Sequence, residues 1–198
     1  MNQLKLENLT KTIKGKTVLD HIDLTLESGK IYGMFGRNGS GKTMLLRAMS
    51  GLIFPTEGKI IYNEKILHED MDFPEHIGLI IEQVELYPQF NAFVNLKLLS
   101  KINNKVSDNE IIHFLNLVGL DPFSKQKVGT FSLGMKQKLA IAQAIFETPD
   151  VLLLDEPTNG LDEESIKIVR EILLKEKERG CLIVIASHSR EDLCHNVK

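Results

Sequence analysis

The sequence predicts an α/β fold built from a parallel β-sheet core, an antiparallel β-subdomain at the N-terminal end and a helical subdomain inserted between core segments. Three observations carry that prediction. An apolar run, "KIYGMF", passes through a glycine-rich loop into "KTMLLRAMSG", which has helical periodicity. Towards the C-terminal end the continuous apolar runs "VLLLD" and "CLIVIAS" flank an amphipathic helical segment, the pattern of strands buried on both faces of a parallel sheet. Near the N-terminus, "LKLENL" and "TVLDHIDLTL" alternate apolar and polar residues, as half-buried antiparallel strands do.

The elements follow in order. The two alternating runs are the first strands and "KIYGMF" is the third; the helix after it is closed by Gly51. "PTEGKIIYNEK" reads as turn, strand and turn, and "HIGLIIE" as a short buried strand. From Val84 to Pro149 the texture is helical. "SDNEIIHFLNLVGL" opens with a capping-box pattern, Ser107 and Glu110. "SLGMKQKLAIAQAIFE" is a second helix, with Ser132 as its N-cap, Leu133 and Met135 turned inward, and Lys136 and Lys138 in water. "VLLLD" is a strand, "EESIKIVREILLKEKERG" a helix ended by Gly180, and "CLIVIAS" the next strand. The expected division is a core with its antiparallel lobe over 1–83 and 150–198, and a helical subdomain over 84–149, all within one domain of 198 residues.

Composition narrows the functional classes. With 42% hydrophobic and 26% charged residues the chain builds a packed core rather than remaining disordered. A formal net charge of -3 supplies no general attraction to nucleic acid or anionic membranes, so no nucleic-acid partner is expected. The lysine-rich stretches "KTIKGK" and "LLKEKERG" read as solvated faces. Of the two cysteines, Cys181 heads an apolar run and reads as a buried reduced thiol, while Cys194 and His195 lack the spacing of a zinc site. Both fit a cytoplasmic location. "MNQLKLENLTK" has no apolar signal-peptide region, and no run approaches the roughly 18 apolar residues of a membrane span, so a membrane role requires a partner chain.

The motifs carry the chemistry. "GRNGSGKT", comprising Gly36, Arg37, Asn38, Gly39, Ser40, Gly41, Lys42 and Thr43, matches G-x-x-x-x-G-K-[ST] between a strand and a helix, and Met44 follows it into the helix. Its glycines let backbone N–H groups curve around phosphates, and the helix directs its positive end at the same anion. Lys42 is expected to reach the β- and γ-phosphates of a nucleotide, and the Thr43 hydroxyl to bind Mg²⁺. The motif predicts the phosphate-binding loop of a P-loop NTPase fold. "VLLLDE" ends an apolar strand with Asp155 and Glu156, where parallel sheets place their ligand sites. Asp155 is the expected second Mg²⁺ ligand, and Glu156 the group that orients or deprotonates the attacking water. His188, at the end of "LIVIAS", lies at the same sheet edge and is expected to contact the γ-phosphate.

With these motifs the chain resembles the nucleotide-binding domain of ATP-binding cassette (ABC) proteins over nearly its whole length. The P-loop at 36–43, a strand-end acidic position at 82, "FSLGMKQK" at 131–138, "LLLDEP" and "TNGLD" at 152–162, and "SH" at 187–188 occur in the family's order. "SLGMKQKLAIAQAI" and "EPTNGLD" are similar to bacterial exporters of drugs and antimicrobial peptides. The resemblance implies a Mg²⁺-dependent ATPase whose cassettes, two copies or a paralogous pair, close head to tail around two ATP molecules. It assigns Ser132 and the Gly134 amide to the γ-phosphate bound by the other subunit, and Asp162 to the same interface.

It also implies an integral-membrane transporter subunit, contacted around residues 82–95, and a location on the inner face of the cell membrane. The sequence departs from the family pattern at several positions. Ile13 stands where an adenine-stacking aromatic is common, and adenine is expected to pack on it without a π-face. Glu82, or Gln83 beside it, stands where a glutamine touching water and Mg²⁺ is common; Leu133 and Met135 replace the signature's glycine and glutamine. The family's last strands are expected to be absent or reduced after His188. A cassette that acts as an assembly or regulatory module without transport is the alternative function.

Overall fold

The computed structural model describes residues 2–82, 84–103 and 106–188. The first two strands, β1 (Gln3–Ile13) and β2 (Lys16–Glu27), form an antiparallel hairpin. Lys14 and Gly15 join them with φ of 47° and 78°. Positive φ at both central residues gives the two-residue turn whose twist matches the strands. "KTIKGK" is thus a hairpin turn as well as a solvated face. β3 (Ile31–Phe35) then leaves for a second sheet and ends in the glycine-rich loop that starts α1 (Lys42–Met49). β4 (Glu57–Tyr62) and β5 (Lys65–Ile66) return to the first sheet, whose order is β2-β1-β4-β5.

The second sheet is parallel. β6 (Ile77–Ile80) precedes the helices α2 (Ala92–Asn103), α3 (Asp108–Leu117) and α4 (Leu133–Ile145); β7 (Val151–Asp155), α5 (Glu163–Glu178) and β8 (Leu182–Ser187) follow. Its order is β3-β8-β7-β6. Successive side chains of a strand point to opposite faces, and this sheet has a core on each. Leu152, Leu154, Ile183 and Ile185 pack with α2–α4 and α5, whereas Leu153, Leu182, Val184 and Ala186 pack with α1 and the antiparallel sheet. Both faces need apolar side chains, which is why "VLLLD" and "LIVIA" do not alternate.

Each inserted helix is started by its own sequence. On α3 the capping box forms as expected: the Ser107 N–H donates to Glu110 Oε2 at 2.7 Å, and the Glu110 N–H to Ser107 Oγ at 3.3 Å. On α4, Ser132 Oγ accepts from the Met135 N–H at 3.2 Å, so the cap is as expected. One expectation on this helix fails. Met135 packs against the core, but Leu133 is 60% exposed. At the first helical position its side chain leans back over the start of the helix, beyond the core, and it lies against Gly160 instead.

Cys181 is buried, and burial pushes its thiol up to about 12. The protonated form is therefore the one that suits the folded state. The corresponding stability is complete below the ordinary thiol range near 8.5 and is lost as pH rises toward 12. Alkylation at pH 8, read by peptide mass spectrometry, is expected to leave Cys181 unmodified in the folded chain and to modify it fully in denaturant. Cys194 lies outside the described residues.

Candidate functional site

Three strand ends meet at one edge of the parallel sheet. Phe35 pairs with Ser187 and Asp155 with Ala186, so the exits of β3, β7 and β8 are level. These exits carry, respectively, the glycine-rich loop, Asp155 with Glu156, and Ser187 with His188.

The loop is shaped by contacts that glycine alone permits. A Cβ on Gly41, whose φ is +93°, would lie 2.9 Å from the Val18 carbonyl oxygen, and one on Gly36 would lie 2.7 Å from Ser40 Oγ. Gly41 is also the N-cap of α1 and offers no side-chain cap. The first N–H groups of α1 thus keep the orphan donors of a helix start, next to the positive end of its dipole. Lys42 Nζ donates to the carbonyls of Gly36 at 2.7 Å and Arg37 at 3.3 Å, closing the loop on itself. A cavity of about 480 Å³ opens here, lined by residues 38–44, Lys16, Thr17 and Val18 from β2, and Asp155 and Glu156. Asn38, Gly39, Ser40, Gly41, Lys42, Thr43 and Met44 line it directly, whereas Gly36 and Arg37 act through Lys42.

At the floor the Thr43 hydroxyl donates to Asp155 Oδ2 at 2.5 Å. Two hard oxygen donors in contact, beside a phosphate cradle, fit a small divalent cation that completes its shell with phosphate oxygens and water. Among the described residues no cluster of three or more His, Cys, Asp or Glu is positioned to hold a metal. Next to this pair, Glu156 Oε2 lies 2.9 Å from His188 Nδ1 and accepts from Ser187 Oγ at 3.3 Å. The imidazole and the carboxylate are close enough to form an ion pair when His188 is protonated.

Glu156 has φ of 48°, a left-handed conformation costing about 1–3 kcal/mol in a residue with a β-carbon. Its N–H donates to the Ala186 carbonyl at 2.9 Å, which fixes it to the end of β8. Gln137 of α4 donates through Nε2 to the carbonyls of Pro157 at 2.9 Å and Glu156 at 3.3 Å. Gln137 has no role predicted from the sequence, and Ser187 enters there only as part of the "SH" at 187–188. For Gln137 the signal was its position on the Gly134 side of the helix, three residues on.

Other expected residues lie apart. Ile13 does not line the cavity; the hairpin turn carries the chain past it, and Lys16, Thr17 and Val18 form that wall. Glu82, with φ of 58°, turns its carboxylate to Arg47 of α1 at 2.8 Å rather than to the Thr43–Asp155 pair. It lines a neighbouring cleft of about 910 Å³, which shares Asp155 and Glu156 with the phosphate cavity. Gln83, the alternative to Glu82, lies outside the described residues. Ser132 and Gly134 do not line the phosphate cavity of their own chain. Asp162 caps α5, accepting from the Ser165 N–H at 2.8 Å; hydrogen bonds from the Ser165 side chain and then its backbone hold the carboxyl below its usual range. Around 82–95, Tyr87 and Phe90 are exposed and their rings meet at 6.2 Å.

Known proteins are similar to this chain over most of its length. Residues 19–159 match the family described as ABC transporter. An uncharacterized ABC transporter ATP-binding protein, YybJ of Bacillus subtilis (strain 168), is 60% identical over 186 residues, covering 94% of this chain and 85% of its own. The lantibiotic transport ATP-binding protein SrtF of Streptococcus pyogenes is 38% identical over 193 residues, covering 97% of this chain and 82% of its own. A bacterial ABC transporter cassette solved as a dimer superposes with a TM-score of 0.82 at 25% identity, covering 96% of this chain and 89% of that one.

Proposed function

The chain belongs to the ABC transporter family and is an ATP-binding, ATP-hydrolysing cassette, and from that premise we propose that it powers export of an antibiotic or peptide through a separate membrane subunit. The observation that carries the site assignment is the meeting of Thr43 with Asp155 at 2.5 Å beside Glu156 and His188 at 2.9 Å, all at the mouth of the glycine-rich loop. Export of a peptide or antibiotic is supported by the lantibiotic transport relative. Among the described residues no helix is long and apolar enough to cross a membrane.

In this reading the loop N–H groups and Lys42 hold the phosphates, and Thr43 and Asp155 hold Mg²⁺. The metal, when bound, neutralises charge on the β- and γ-phosphates. Glu156 takes a proton from the attacking water, and His188 orients that carboxylate and offers Nε2 toward the γ-phosphate. Two cassettes, identical or paralogous, pair head to tail, a proposal supported by the dimeric neighbour. The Ser132 hydroxyl and Gly134 amide then complete the partner's site, with Asp162 at the same interface. Residues 84–149 form the helical subdomain, and the surface around 82–95, with exposed Tyr87 and Phe90, meets the membrane subunit at the inner face of the cell membrane.

Two experiments test it. Ser132→Ala is expected to reduce ATP turnover about tenfold or more, the loss of a charge-assisted hydrogen bond of roughly 1.5–3 kcal/mol. ATP affinity of the isolated monomer, measured by equilibrium titration, is expected to stay within about twofold, the scale of a few tenths of a kcal/mol. Equal loss of both overturns the trans-acting role. Affinity purification from detergent-extracted membranes is expected to bring down a polytopic membrane protein. Its reproducible absence favours an assembly or regulatory module without transport.

A further inference from the structure

Gln137 has no assigned part in the chemistry, yet it joins two pieces of the site. It lies on α4 three residues after Gly134 and four after Leu133, so all three share one side of the helix. That side is fastened to the loop after β7 at two points. At one end Gln137 Nε2 donates to the carbonyls of Pro157 at 2.9 Å and Glu156 at 3.3 Å. At the other, α4 and Gly160 are in direct contact: a Cβ on Gly134 would lie 2.9 Å from the Gly160 carbonyl oxygen, and one on Gly160 would lie 2.6 Å from Leu133 Cδ2.

The first of these points is where backbone conformation bears most on the site. Glu156 is in the left-handed region at φ 48°, and its carbonyl also accepts from the Asn159 N–H at 3.1 Å. The N–H side of the residue is held by Ala186, and the carbonyl side by Asn159 and Gln137. Rotation of the Glu156 peptide breaks these bonds and moves Oε2 away from Ser187 and His188.

We propose that Gln137 is a positioning residue for Glu156: its side-chain amide locks the strained peptide that aims the carboxylate, and fastens that peptide to α4. The proposal rests on the reading of Glu156 as the group that activates water. It also links the two halves of a dimer. The α4 turn that addresses the partner's nucleotide through Ser132 and Gly134 is fixed to the base serving this chain's own nucleotide, so displacement of one displaces the other.

The test compares the full chain with Gln137→Met, Gln137→Lys and Glu156→Gln variants. Steady-state Mg-ATP hydrolysis, equilibrium ATP titration and thermal unfolding are measured on each. Methionine keeps the length and helix propensity of glutamine without an N–H donor. Gln137→Met is expected to lower kcat about 10²-fold, the scale of a misplaced catalytic group, with ATP Kd within about twofold and unfolding temperature nearly unchanged. Gln137→Lys retains a donor able to reach both carbonyls and is expected to recover most of the turnover. Wild-type kcat in Gln137→Met overturns the positioning role, as does a parallel loss of ATP affinity and thermal stability, which marks general packing. A lysine variant no better than the methionine one overturns the hydrogen-bond basis. A wild-type chain that releases no phosphate overturns the hydrolase reading and this proposal together, whereas the other outcomes leave that reading standing.

Discussion

Glu156→Gln is expected to bind Mg-ATP as the unmodified chain does and to hydrolyse it about 10² to 10⁴ times more slowly, the range for loss of a general base. The substitution preserves shape. The glutamine oxygen can still accept from His188 and Ser187, which lie 2.9 and 3.3 Å from Glu156 Oε2, and the backbone bond to Ala186 is unaffected. It removes the negative charge and the ability to take a proton from water. Lys42 directs its ammonium to the Gly36 and Arg37 carbonyls rather than to the Glu156 carboxylate, so binding is decoupled from the loss. With hydrolysis stalled, the ATP-bound closed dimer is expected to accumulate and to be visible by size-exclusion chromatography with light scattering. Phosphate release at the wild-type rate removes Glu156 from the role of base.

The sequence carried the fold with little loss because its signals were local. A two-faced strand needs an unbroken apolar run, and "VLLLD" and "LIVIA" have one. A side-chain oxygen at the N-cap favours a helix start, and Ser107, Ser132 and Asp162 each accept there. The grouping of Thr43, Asp155, Glu156 and His188 was legible for a topological reason: parallel strands put all their exits on one edge.

What was less legible depended on which way a side chain turns. Leu133 fits the apolar pattern of α4, but at its first position it has no core to cover and meets Gly160. Glu82 sits at a strand exit like Asp155, yet Arg47, four residues along α1 from Thr43, takes its carboxylate. A salt bridge between elements distant in sequence leaves no periodic trace. Gln137 was hidden for a similar reason, since its partners are main-chain carbonyls, which every residue has.

Lys42→Ala is expected to weaken ATP binding about 10- to 150-fold, the equivalent of a charge-assisted hydrogen bond of roughly 1.5–3 kcal/mol. Two effects act in the same direction. The ammonium is a point charge at the cavity that, in the proposed reading, receives the β- and γ-phosphates, where the cation's attraction is largest. It is also the clasp of the loop, since it donates to the Gly36 and Arg37 carbonyls at 2.7 and 3.3 Å. Without it those carbonyls lose a donor beside an anion site, and the loop relaxes from the curve that directs its N–H groups inward.

The two effects separate in nucleotide titrations. Loss of the γ-phosphate contact weakens ATP more than ADP, whereas loss of loop shape weakens both alike. Lys42→Arg keeps the charge but replaces the compact ammonium with a planar fork, so it is expected to restore part of the ATP affinity and little of the loop geometry. ATP affinity within twofold of wild type in Lys42→Ala would show that the helix N-terminus and loop amides hold the phosphates without the lysine. In that case the role of Lys42 is the one its observed contacts describe, closure of the loop between Gly36 and Gly41.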